Sequence, residues 1–336
     1  MERYARQSVF SHIGTEGQEK LLKATVTIVG MGALGTVAAN NLCRAGVGHI
    51  RMIDRDYVET TNLQRQVLYD ENDVAQKLPK VIAAYNHLSV VNSQITLEPV
   101  IADVNSVNIE QLIQGCNMVL DATDNWETRL LLNEACIEHA MPWIYCGAIG
   151  AVGMTMNIMP GSNTPCLKCF MPTSPAAHSQ TCSSFGVLNT ITNAIASVQT
   201  TEALKFLIGS SALREDLLIM DLWNNDVCSI EVEKNPSCPA CVQRDYEYLG
   251  KTHGAYATSL CGSDAVQVVP ATEAKVDFEA MAKRLESAGT VKCSPFSLTF
   301  ASEAFEMTLF RDGRAIIKNA IDENNAKSIY AEYIGI

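Results

Sequence analysis

Residues 25–35 read Thr-Val-Thr-Ile-Val-Gly-Met-Gly-Ala-Leu-Gly, an apolar run that ends in three closely spaced glycines. No other feature constrains the fold as much. A G-x-G-x-x-G run carries meaning only between a strand and a helix. Here the strand is Thr25 to Val29 and the helical stretch is Ala33 to Ala45. Gly30 permits the tight turn, Gly32 lets the backbone approach a phosphate, and Gly35 lets helix and strand pack closely. The helix N-terminus offers N–H groups to an anion. A second strand, 49–54, ends in Asp54, where such a turn places a ribose hydroxyl acceptor. This much is shared by NAD, FAD and some ATP sites.

Asn62-Leu63-Gln64-Arg65-Gln66 breaks the tie. It follows Asp54 at the carboxyl edge of the expected sheet, where ligands of open α/β sheets bind. Arg65 adds a permanent charge with a fork that fits phosphate. Lys80 follows at the start of another helical stretch, with Lys77 as an alternative phosphate ligand. A dinucleotide needs no such cation pair. A triphosphate undergoing displacement does, because the departing pyrophosphate gathers negative charge. Asp124 and Asn125 come after the apolar run Met118 to Leu120, at the same edge. Carboxylates there can hold Mg²⁺ together with substrate phosphates. Asp124-Asn125-Trp126-Glu127 also reads as a cap for the following helix.

Strand-like and helix-like stretches alternate to about residue 150: strands at 25–29, 49–54, 95–104 and 118–123, helices at 33–46, 77–90 and 125–140. Each strand is followed by a crossover, so a parallel sheet is expected. Two β-like runs, 143–147 and 154–159, precede a Pro/Ser/Thr-rich loop at 171–184. A long apolar helix at 187–207 and strands near 216–222 and 227–233 follow. Glu202 and Lys205 fall on its polar face and are assigned no chemistry. The class is α/β, a Rossmann-like, mostly parallel sheet whose C-terminal half is clipped by zinc. Residues 1–245 read as the ATP-binding domain, 246–261 as a linker and 262–336 as a small α+β unit with a hairpin signal at Asp312-Gly313.

Cys166-x-x-Cys169 and Cys238-x-x-Cys241 supply four soft ligands in Pro-containing loops. That set suits a closed, structural zinc site with no open position for catalysis. Two redox pairs are the alternative. Of the twelve cysteines, Cys43, Cys116, Cys136 and Cys146 read as inert core residues. Cys182 differs, because it lies in the polar loop just before a helix N-terminus, where the dipole favours thiolate. His178 in the same loop reads as a loop residue rather than a base.

The ordered set resembles the ThiF/MoeB family, relatives of the ubiquitin-activating enzymes. Arg3-Tyr4-Ala5-Arg6-Gln7, Gly14-x-x-Gly17-Gln18 and Ala45-Gly46-Val47-Gly48 match its further motifs, and the resemblance covers roughly residues 1–245. It implies a homodimeric adenylyltransferase that uses ATP and Mg²⁺ to activate the C-terminal glycine of a small ubiquitin-like sulfur carrier ending in Gly-Gly. It also implies that Arg6 reaches the partner's nucleotide, that Arg129 is structural support, and that Cys182 is the sulfur-transfer cysteine, fed by a sulfur donor such as a cysteine desulfurase. In some members the matching cysteine is dispensable. The short C-terminal extension favours the thiamine branch over the molybdopterin one.

A formal net charge of −12 opposes a nucleic-acid partner and an anionic membrane surface. No segment reaches a membrane span, and the N-terminus lacks a signal-peptide core, so a cytoplasmic location is expected. A nicotinamide-dependent dehydrogenase would explain the glycine turn and Asp54 but not residues 62–66. A non-catalytic adaptor for a ubiquitin-like protein would explain the zinc scaffold but not an intact phosphate set.

Overall fold

The first strands and helices alternate because each apolar run is closed by a turn into a helical crossover. Helices α1 (Ala5–Ser8) and α2 (Gly14–Lys23) lead into β1 (Thr25–Val29), α3 (Ala33–Ala45) and β2 (His49–Asp54). Helices α4 (Glu71–Ala75) and α5 (Lys80–Val91) precede β3 (Thr96–Ile101). Then come α6 (Ile109–Ile113), β4 (Met118–Asp121), α7 (Trp126–Glu138), β5 (Trp143–Ile149) and β6 (Val152–Ile158). Helices α8 (Leu167–Phe170) and α9 (Asn189–Ile208) are followed by β7 (Leu217–Asp221) and β8 (Asp226–Ile230). The computed structural model describes residues 2–162, 164–171, 185–250, 256–259, 265–270 and 275–335.

These eight strands form one sheet in the order β3-β2-β1-β4-β5-β6-β7-β8. The first five run parallel and β6, β7 and β8 join antiparallel. The strand order reverses between β1 and β4, so the crevice at their carboxyl ends is where an α/β sheet of this kind takes a ligand.

The three short N-terminal motifs form one knot. Gln7 Nε2 donates to Gln18 Oε1 at 2.7 Å, and both glutamines donate to the Ala45 carbonyl, at 2.9 and 3.0 Å. Gly46 ends α3 in the left-handed region at φ +81°, and a Cβ there would meet the Tyr4 ring at 2.5 Å. Buried Tyr4 in turn accepts a 2.8 Å bond from Asn92 Nδ2. Helix α9 packs against α3, β5 and β6. Its buried Gln199 donates to the Asp121 and Ile144 carbonyls at 2.8 and 2.9 Å, bridging the ends of β4 and β5. Glu202 corrects the sequence reading: it is buried rather than on a polar face, accepting from Asn157 Nδ2, Arg214 N and Lys205 Nζ. Three donors make that burial tolerable and hold its carboxyl below the ordinary range despite desolvation.

The chain divides into two compact units, Met1–Lys251 and Thr252–Ile336. Residues 247–249 belong to the first: buried Glu134 on α7 accepts from the N–H groups of Glu247, Tyr248 and Leu249 at 3.1, 2.7 and 2.9 Å. The second unit contains β9 (Tyr256–Ser259), β10 (Ala265–Val269), α10 (Phe278–Leu285), β11 (Thr290–Cys293), β12 (Ser297–Ala301), β13 (Glu306–Phe310), β14 (Ala315–Lys318) and α11 (Glu323–Tyr333). Its sheet, ordered β11-β12-β13-β14-β10-β9, is wholly antiparallel, with Val266, Val268, Phe300, Leu309 and Ile317 in its core. Tyr330 of α11 donates to the Gly313 carbonyl at 2.6 Å, tying the helix to the Asp312-Gly313 turn. No helix among the described residues is long and apolar enough to cross a membrane.

Candidate functional site

At the β1–β4 crevice the three glycines do different work. Gly30 has φ +95°, and a Cβ there would lie 2.5 Å from the Ala122 carbonyl. A Cβ on Gly35 would lie 1.9 Å from the Gly30 carbonyl. Both positions are closed to any side chain by backbone. Gly32 is different: among the described residues its Cβ would meet only Gln66 Nε2 within 4 Å, at 3.8 Å. It is also the N-cap of α3 and has no capping side chain. Backbone N–H groups beside an open cradle suit an anion.

Asp54 pins this turn. Its carboxylate accepts from Met31 N at 2.6 Å and from Asp56 N at 2.7 Å. Burial raises its pKa, opposed by nearby Lys80. Tyr69 donates to the Met31 carbonyl at 2.7 Å, fixing the turn from the other side. Gln66 is 4% exposed and its Oε1 has no hydrogen-bond partner among the described residues. The Gln66 atom that borders the open side of Gly32 is the amide donor Nε2, 3.8 Å from where a Cβ would lie, and a donor there suits a phosphate oxygen.

The cations and carboxylates gather at the same edge. Lys80 opens α5 and is buried, with Nζ 2.9 Å from Asp56 Oδ2. Burial pulls its pKa down, but Asp56, Asp54 and Asp124 more than offset this and keep the ammonium charged. Lys77, the alternative, is exposed and left-handed at φ +49°. Arg65 is half-buried and donates to the Thr61 carbonyl at 3.0 Å. Asn62 is buried, and its side chain accepts from Glu59 N at 3.0 Å in a capping box that shapes residues 60–62. Asn125, not Asp124, caps α7, accepting from Thr128 N at 2.8 Å. Asp124 itself is exposed and close enough to Lys80 and Arg55 to steady both charges. Arg129 supports this corner from beneath: buried, it bonds Asp121 Oδ2 at 2.7 Å and the Thr123 and Cys146 carbonyls.

Sequence reasoning missed Arg55, Asp56 and Asp103. Arg55 NH1 bonds Asp103 Oδ1 at 2.8 Å, and Lys80 is paired with Asp56. The signal available was the Asp54-Arg55-Asp56 triplet, in which the two carboxylates flank a cation at a strand end.

The four cysteines of the C-x-x-C pairs meet at one centre. Their Sγ atoms all lie within 4.8 Å of one another, with separations of 3.9 Å (Cys166–Cys169), 3.7 Å (Cys166–Cys238) and 3.6 Å (Cys169–Cys241). A tetrahedron with Zn–S of about 2.3 Å has edges of about 3.8 Å. The four thiols therefore fit a closed zinc site, and the alternative of two separate redox pairs loses its geometry. Asn133 donates to Cys166 Sγ at 3.8 Å and accepts from Leu167 N at 3.0 Å, orienting the first knuckle from α7.

Arg6 lies exposed on α1. Cys43, Cys116, Cys136 and Cys146 are buried, with thiol pKa values raised by burial, as inert core cysteines should be. Cys182 and His178 lie outside the described residues.

Fold and site together define a Rossmann-like α/β protein with a glycine turn and a charged edge at its sheet crevice and four cysteines that fit a zinc site. The chain belongs to the ThiF family, whose model matches residues 4–240. It is 40% identical over 336 residues to the sulfur carrier protein ThiS adenylyltransferase of Bacillus subtilis, covering 99% of each chain. It is 34% identical over 243 residues to the SAMP-activating enzyme E1 of Haloferax volcanii, covering 72% of this chain and 88% of that one. Among solved structures, E. coli MccB with ATP superposes with a TM-score of 0.63 at 21% identity, covering 71% of this chain and 74% of that one, and so shares the fold.

Proposed function

We propose that this chain is an ATP-dependent adenylyltransferase for a small ubiquitin-like sulfur carrier ending in Gly-Gly, and that the carrier belongs to the thiamine route. The observation that carries the reading is the 40% identity to a ThiS adenylyltransferase across 99% of both chains, C-terminal unit included. The match to the Haloferax relative, by contrast, covers 72% of this chain. The Gln66 amide donor beside the Gly32 turn favours a phosphate-bearing ligand there.

In this reading Gly30, Gly32 and Gly35 shape the phosphate cradle and Asp54 takes the ribose. Asn62 and Gln66 line the edge. Arg65 and Lys80 balance charge on the phosphates, with Arg6 contributed by the partner of a homodimer. Asp124, beside Asn125, would hold Mg²⁺, which when bound neutralises charge on the transferring phosphates. The carrier's C-terminal carboxylate attacks the α-phosphorus and pyrophosphate leaves, a step that depends on orientation and electrostatics. The outer sulfur of a Cys182 persulfide, delivered by a donor such as a cysteine desulfurase, then attacks the acyl carbon and AMP leaves, giving a carrier–CO–S–S–Cys182 adduct that a thiol reductant splits to the carrier thiocarboxylate. The molybdopterin branch is the alternative, and carrier preference decides between them.

ATP–pyrophosphate exchange tests this directly. Exchange should require a Gly-Gly-ended carrier and be stronger with a thiamine-type than with a molybdopterin-type carrier; none with either would end the adenylyltransferase reading. Cys182→Ser should keep exchange and lose the reducible carrier adduct seen by mass spectrometry. Full sulfur transfer by that variant would leave Cys182 without a covalent role.

A further inference from the structure

We propose that Asp56 is a positioning residue that holds the Lys80 ammonium for the phosphates, an inference that rests on the adenylyltransferase reading. Lysine is a compact charge on a flexible four-carbon stem, so using it at a reacting phosphate requires something to order it. Asp56 grips Lys80 at two points. The Lys80 backbone N–H donates to the Asp56 carbonyl at 2.8 Å, and Nζ donates to the Asp56 carboxylate at 2.9 Å. The Asp56 N–H meanwhile donates to Asp54 Oδ1 at 2.7 Å, so one short segment fixes both the ribose candidate and the phosphate cation.

The burial is asymmetric. The Lys80 side chain is 8% exposed, whereas that of Asp56 is 42% exposed. A pair that served only stability would gain little with one partner so open to water. Here the open side of the pair belongs to the carboxylate, and the ammonium is held below it within electrostatic range of Asp54 and Asp124. With Asp56 neutralised, the ammonium is free to settle on those two carboxylates instead.

A double-mutant cycle with Lys80 tests the role. The open environment of Asp56 and the isosteric amide should let Asp56→Asn fold; Asp56→Ser serves where the amide disturbs the turn. Asp56→Asn should lower kcat for ATP–pyrophosphate exchange by about 10- to 100-fold, the scale of a misplaced reacting group. The KM for ATP should change little. Lys80→Met should lose at least as much. Asp56→Asn added to Lys80→Met should cost no more than about twofold further, because a residue acting through another has nothing left to position. Losses that multiply in the double variant, or a loss that follows melting temperature with kcat and KM moving together, would overturn the role. Wild-type protein that fails to exchange with any Gly-Gly carrier would overturn the parent reading instead, and is seen before any variant is made.

Discussion

Asp124 and its neighbour show how adjacent residues divide structural and chemical work. Asn125 closes the first turn of α7, which leaves the Asp124 carboxylate exposed at the ligand edge. The two substitutions should therefore separate. Asp124→Ala should cut pyrophosphate exchange by about 100-fold or more, the scale of losing one electrostatic group at a reacting centre. Its melting temperature should stay near that of the wild type. Asn125→Ala should cost about 1 kcal/mol of stability, as lost N-caps do, which denaturant titration would register. A large stability loss in Asp124→Ala with exchange intact would return that residue to a capping role. The Asp54-x-Asp56 spacing was visible in the sequence, but the partner of Asp56 was not. Lys80 is 24 positions away, and only the packing of α5 against β2 and β3 brings them together.

At the scale of elements, the metal knot joins two short segments 72 residues apart. Each is too brief to hold its shape alone, so the ion would supply the energy that a core supplies elsewhere. Metal analysis should find about one zinc per chain. Cys238→Ser should abolish that content and lower the melting temperature, with amides of residues 246–249 losing hydrogen-exchange protection first. Folded, active protein without metal would remove the claim. The Asp312-Gly313 turn offers a second test. The hydroxyl of Tyr330 donates to Gly313, and burial, with Asp312 nearby, pushes its pKa up to about 12 from an ordinary 10. A raised folded pKa means the contribution is complete below about pH 10 and is lost as pH rises through about 12. Tyr330→Phe should weaken the C-terminal unit by about 1 kcal/mol at neutral pH, and its stability should fall less over that alkaline window. Denaturation monitored at several pH values would show it.

At the scale of the whole molecule, the homodimer reading makes a prediction that no single-chain argument can imitate. If Arg6 serves the partner's nucleotide, Arg6→Ala and Asp124→Ala proteins should each be inactive alone. Mixed in equal amounts and allowed to exchange subunits, they should recover about a quarter of wild-type exchange, because half the dimers then carry one intact composite site. No recovery in demonstrably mixed dimers would place Arg6 on its own chain's site or on none.

Local patterns legible in the sequence were those whose cause is local. The glycine turn, helix α3 at Ala33–Ala45, strand β1 and the Asp312-Gly313 hairpin follow from backbone freedom and apolar spacing, which neighbouring residues dictate. The C-x-x-C pairs were legible because each knuckle is itself a short motif. Residue spacing could not show that Gln7, Gln18 and Ala45 form one buried knot, that Glu202 is sunk among Asn157, Arg214 and Lys205, or that Asn125 rather than Asp124 caps α7. Those outcomes depend on which polar groups lose water together. Desolvation is a property of the packed molecule, so only the tertiary structure assigns each buried donor its acceptor.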